Sequence, residues 1–127
     1  MAVGARRSVD IAELAQSSLL RLSERSADTA LLSVRSGVEA LYLARSVGSH
    51  PLQPNYLQIG SRRPLGVGVP VRDDAGEVVA ALSIGAATDR IRRRESELAD
   101  MLKKEAQVLA RAMAQAPKNV RPAKVTS

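Results

Sequence analysis

The sequence predicts an α+β domain, an antiparallel sheet of two hairpins packed against an N-terminal and a long C-terminal helix. Three observations predict it. Apolar residues recur with a helical period at both ends of the chain. Between them they alternate with a period of two in two separate stretches, and each alternating pair is joined by a short turn containing Gly. Hairpins in the middle and helices at the ends imply antiparallel pairing, because a parallel sheet would alternate strand and helix along the chain.

From Asp10 to Ser26, residues Ile11, Leu14, Ala15, Leu19 and Leu22 form one apolar stripe. Asp10 is placed to cap the first turn, and Glu13 three residues on completes a capping box. From Thr29 the period becomes two, with Ala30, Leu32 and Val34 alternating against Leu31, Ser33 and Arg35. Ser36-Gly37 turns the chain and Glu39 to Val47 alternates again, which completes the first hairpin. Gly48 to Pro64 is rich in loop-forming residues, with one short apolar pulse at Tyr56, Leu57 and Ile59.

Val67, Val69 and Val71 then alternate with small residues, and Asp73-Asp74-Ala75-Gly76 turns into Glu77 to Gly85. Pro70 cannot donate to a ladder, so its strand should lie at a sheet edge or present that position outward. From Thr88 or Asp89 to Gln115 a helix carries Ile91, Leu98, Met101, Leu102, Leu109, Ala112 and Met113 on one face. Pro117 stops it. The domain therefore runs over 9–116, followed by a basic disordered tail over 117–127.

At 127 residues the chain suffices for one core. That core is aliphatic, because Phe and Trp are absent and Tyr42 and Tyr56 are the only aromatics. With no Cys there are no disulfides and no thiolate metal sites. The longest apolar run, Val78 to Leu82, is strand-sized and no membrane association is expected. Asp10 and Glu13 interrupt any apolar segment behind Arg6 and Arg7, so a cytoplasmic location is expected. The net charge of +6 sits largely in the tail and in Arg92, Arg93 and Arg94, and reads as solvated charge. A nonspecific nucleic-acid binder would use the same residues, with strongly salt-dependent affinity.

Enzymatic signatures are missing. His50 is the only His, it stands in a loop, and no G-x-S-x-G exists for a nucleophile, so the chain is not expected to be an enzyme. Asp73-Asp74 reads as turn chemistry, and no metal is expected. Gly66-Val-Gly68 lacks the third glycine and the following helix of a dinucleotide fingerprint, and no cofactor is expected. Along the last strand, Val78, Ala80, Leu82 and Ile84 form a face suited to packing under a helix. The opposite face, Val79, Ala81, Ser83 and Gly85, suits either the floor of a small-ligand pocket or close packing with a local bond for the Ser83 hydroxyl.

The stretches VPVRDDAGEVVAALSIGAATDRI and IAELAQSSLLRLSERSADTALLSVRSGVEALYLARSVGS, with GSRRPLGVG between them, resemble the effector-binding domain of IclR-type bacterial transcriptional regulators. The resemblance spans about Val9 to Ala114 and implies a GAF-like sheet domain. It implies a small organic acid as effector, with Ser83 and Gly85 at positions that line the effector pocket. Gly66 falls where the alignment is ambiguous. In the family, the PLGVG-like loop leads through several helices and a strand before the stretch matching VPVRDDAGEV, whereas here the two are joined directly, which implies an internal deletion near 65–71.

Only about eight residues precede the first helix, too few for the family's winged helix-turn-helix domain, so this chain alone is not expected to bind DNA sequence-specifically. The reading is a truncated effector-binding domain, impaired or vestigial. The alternative is an interaction module that associates with itself or with a full-length regulator through an uncovered face of Val79, Ala81, Ser83 and Gly85.

Overall fold

The computed structural model describes residues 11–50, 67–86 and 88–116. Its strands are β1 (Thr29–Ser36), β2 (Glu39–Ser46), β3 (Val67–Arg72) and β4 (Val78–Gly85), and they form one antiparallel sheet in the order β2-β1-β4-β3. Both hairpins form as the alternation predicts, and they join through β1 and β4, from Thr29 opposite Gly85 to Ser33 opposite Ala81. Pro70 lies on β3, an edge strand, one of the placements that a residue without an N–H donor allows. Asp73 makes the second turn: its Oδ1 accepts the N–H groups of Ala75 at 3.0 Å and Glu77 at 2.9 Å, which is the turn role expected of it. The expected cap at Asp10, the apolar pulse at Tyr56 to Ile59 and the tail lie outside the described residues.

Two bulges change which residues share a face. Ser33 pairs with Tyr42 and Leu32 with Ala44, so Leu43 is the extra residue on β2. Tyr42 and Ala44, two apart, are thereby turned to opposite faces. Val71 pairs with Ala80 and Arg72 with Val78, which leaves Val79 extra on β4. The expected grouping of Val78 with the core face therefore fails at that end. Val78 is 55% exposed, and Val79 packs against the main core instead.

Helix α1 (Gln16–Ser26) and helix α2 (Thr88–Gln115) cover one face of the sheet. Residues 11–14 are helical too and run into α1 through Ala15, whose N–H donates to the Ile11 carbonyl. Ile11, Ala15, Leu19 and Leu22 from this end meet Leu98, Met101, Leu102 and Leu109 of α2 over Ala30, Leu32, Val71, Leu82 and Ile84. A common apolar surface is what two single-striped helices require.

Polar contacts then fix the layers. Arg21 grips buried Glu105 with two bonds of 2.9 Å, and the Ser23 and Ser46 hydroxyls meet at 2.7 Å. The Glu105 carboxyl feels opposing effects. Burial raises its pKa, but hydrogen bonds from Arg21 and Ser18 and the charges of Arg21 and Arg25 outweigh this and hold it below the usual carboxylate range.

The corner between α1 and β1 gathers four segments. Ala27 ends α1 in the left-handed region at φ 66°. A Cβ on Gly48 would lie 2.3 Å from the Ala27 carbonyl group, so only Gly lets the chain leaving β2 pass there. His50, placed in a loop by the sequence, is half-buried, and its backbone N–H donates to the Ala27 carbonyl at 2.9 Å. Asp28 is fully buried and holds Arg90 through Nε–Oδ1 at 2.9 Å and Nη2–Oδ2 at 3.0 Å. Arg94 joins it through Nη1–Oδ2 at 3.0 Å. The expectation that Arg92, Arg93 and Arg94 are uniformly solvated is thus corrected at Arg94, because a distant carboxylate meets the same helix face.

Candidate functional site

On the sheet face turned away from α1 and α2, strand pairing collects residues that are far apart in sequence. Thr29 lies opposite Gly85, and Leu31 opposite both Ser83 of β4 and Arg45 of β2. Ser33 lies opposite Ala81 and Tyr42. Directly opposed residues of antiparallel strands project to one face, so Thr29, Leu31, Ser33, Tyr42, Arg45, Ser83 and Gly85 share it. Leu31 and Tyr42 form a second small apolar cluster, separate from the main core.

Ser83 is the chemical centre of this face. Its residue is 4% exposed, and its Oγ is buried with no hydrogen-bond partner among the described residues. A buried hydroxyl without a partner costs about 1–3 kcal/mol, so such a group calls for an explanation in its function or its solvent. Gly68, on the edge strand directly opposite, is exposed and carries no side chain. A Cβ there would approach the Ser83 Cβ to 3.3 Å, so Gly68 keeps the space next to Ser83 open. Leu31 and Tyr42 provide apolar surface, and exposed Arg45 places a cation on the same face. Small side chains, one unused hydroxyl, apolar surface and a cation are complementary to a small organic anion.

Sequence periodicity assigned Ser83 and Gly85 to one face, and the structure buries both. It did not bring Thr29, Ser33, Tyr42 or Gly68 to them. The phase of β1 was legible, but its register against β4 was not, and the bulge at Leu43 hides Tyr42 from any strict alternation. The expected uncovered face is corrected: Ser83 and Gly85 are buried, and Val79 and Ala81 are half-buried, so these residues present no open apolar surface for association. Among the described residues no cluster of three or more His, Cys, Asp or Glu could hold a metal ion. No helix among them is long and apolar enough to cross a membrane.

Residues 65–111, which hold the second hairpin and most of α2, match the family described as bacterial transcriptional regulator IclR C-terminal. No curated protein matches the sequence significantly. Among solved structures, the IclR protein of Thermotoga maritima is similar with TM-score 0.70 at 19% identity, over 85% of this chain and 70% of that one. The C-terminal domain of a transcriptional regulator from Vibrio cholerae, numbered 79–240, is similar with TM-score 0.62 at 14% identity, over 75% of this chain and 93% of that one. An IclR homolog from Microbacterium hydrocarbonoxydans, solved with 4-hydroxybenzoate, gives TM-score 0.66 at 15% identity, over 81% of this chain and 68% of that one. At these identities the structures speak for the fold, and the family match speaks for the sequence. The two agree: residues 65–111 match the C-terminal domain of the IclR family of bacterial transcriptional regulators, and the chain shares the fold of solved members of that family.

Proposed function

We propose that this domain senses a small organic acid on the face that carries Ser83 and Gly85. The observation that carries the reading is the buried Ser83 hydroxyl with no partner among the described residues, in a setting where Gly68 leaves room and Arg45 supplies positive charge. The structure of a homolog with 4-hydroxybenzoate supports a ligand of this class. The domain is also internally shortened near 65–71. In support, the Vibrio cholerae domain numbered 79–240 is longer than this entire chain of 127 residues, yet 93% of it is spanned by 75% of this chain. The segment that walls the effector pocket in the family falls in that shortened stretch, so affinity is impaired relative to a full-length domain.

Titration calorimetry with 4-hydroxybenzoate and a panel of short-chain carboxylates tests the reading. Binding that Ser83→Ala weakens by about tenfold, as loss of a hydrogen bond to a charged group predicts, supports it. In the absence of ligand the same variant is expected to gain about 1 kcal/mol of stability, because it removes an unsatisfied buried hydroxyl. A panel in which no acid binds, or in which Ser83→Ala binds equally well, overturns the site.

A second reading, association with another copy or with a full-length regulator, has one observation in its favour. Leu20 on α1 is 51% exposed and Val47, just beyond β2, is 54% exposed. Light scattering across a dilution series separates the readings, since association raises the mass with concentration.

A further inference from the structure

Helix α2 is bent at a position where its own sequence gives no cause. Arg94 has φ −125° and ψ 16°, outside the helical region, while helical residues continue on both sides of it. Sharp kinks ordinarily trace to Pro, to Gly/Ser pairs or to a group inserted into the ladder. The 28 residues of α2 contain neither Pro nor Gly, and the run Arg92-Arg93-Arg94-Glu95 consists of strong helix formers. The cause is therefore tertiary. Arg94 Nη1 donates to Asp28 Oδ2 at 3.0 Å and to the Ser26 carbonyl at 3.1 Å, and its Nε reaches Glu97 Oε1 at 3.5 Å. Arg90 donates to the same Ser26 carbonyl at 3.2 Å as well as to Asp28, so the first turns of α2 are tied to the end of α1 and the start of β1.

We propose that Arg94 is a two-state hinge, kinked while its guanidinium holds Asp28 and the Ser26 carbonyl, and straight when that hold is released. Local propensity and tertiary contact favour different conformations of the same residue, which is what a bistable element requires. The hinge is placed to matter. Gly85 at the end of β4 pairs with Thr29, the neighbour of Asp28, and α2 begins three residues after Gly85. Movement of the segment 88–93 thus acts directly on the strand that carries Ser83.

The hinge is tested in the apo protein by Arg94→Leu, which leaves both bonds between Arg90 and Asp28 in place. The expected result is a shift of the 13Cα resonances of residues 93–95 to helical values, with amide exchange over 95–98 slowed by about tenfold as the ladder closes. Resonances that stay non-helical at position 94 overturn the proposal. Should Arg94→Leu not fold, Asp28→Asn, which removes the charge and keeps the shape, is read the same way. The hinge's use in sensing rests on the function proposed above, and titration of 4-hydroxybenzoate into the wild type separates the two. Shifts at Ser83 with none at Arg94 remove the hinge from sensing. An absence of shifts at Ser83 counts against the ligand site, and the variants still decide the hinge.

Discussion

Glu105 shows how a single side chain departs from its sequence context. It occupies a stretch of mixed charge on α2, yet it is buried and held by Arg21 from another helix. Its pKa is depressed in the folded state, so the stability it contributes is fully present above the unfolded carboxylate value of about 4.3. That contribution is lost as pH falls through the lower folded value. Arg21 is partly exposed, which screens the pair and limits its worth. Glu105→Gln is accordingly expected to cost about 1–2 kcal/mol at pH 7. Urea midpoints of the two proteins should draw together as acid protonates Glu105 below the usual carboxylate range, and a difference that persists once it is protonated would assign the effect to packing instead of charge.

The corner between α1 and β1 decides how the elements are joined, and it makes opposite predictions for two small residues. Ala27 holds a left-handed conformation that Gly adopts without a steric penalty. Ala27→Gly is expected to raise stability by about 0.5–1 kcal/mol in thermal or urea unfolding. Gly48→Ala should do the reverse, by roughly 3 kcal/mol or more, because its Cβ would collide with backbone atoms that have no rotamer to escape through. If Gly48→Ala melts with the wild type, the close approach of the β2 exit to Ala27 is wrong.

At the scale of the whole molecule, both helices share one face of the sheet, and Leu98 lies fully buried at their junction. Leu98→Asp places a carboxylate in that interface without a partner, which costs about 4 kcal/mol or more, a large part of a domain's net stability of roughly 5–15 kcal/mol. The variant is expected to lose cooperative unfolding by circular dichroism. A transition at the parent's temperature would show that α2 does not pack as described. The clustering of Leu31 with Tyr42 on the other face shows that a second, smaller apolar layer accompanies this core.

The two hairpins, the edge position of Pro70, the turn at Asp73 and the extent of α2 were all legible in the sequence, because each depends on local periodicity or on the chemistry of a few adjacent residues. The family resemblance was legible too, and residues 65–111 match the family model. What only the tertiary structure decided depends on pairing across long sequence separations. The register of β1 against β4 brings Thr29 and Leu31 to Ser83 and Gly85. The bulge at Leu43 sends Tyr42 to the face that carries Ser83 and Ala44 to the core. A carboxylate 62 and 66 residues away draws Arg90 and Arg94 out of solvent. Periodicity records which side of an element is apolar. It carries no information about which distant partner meets that side, and the chemistry of this site is set by the partners.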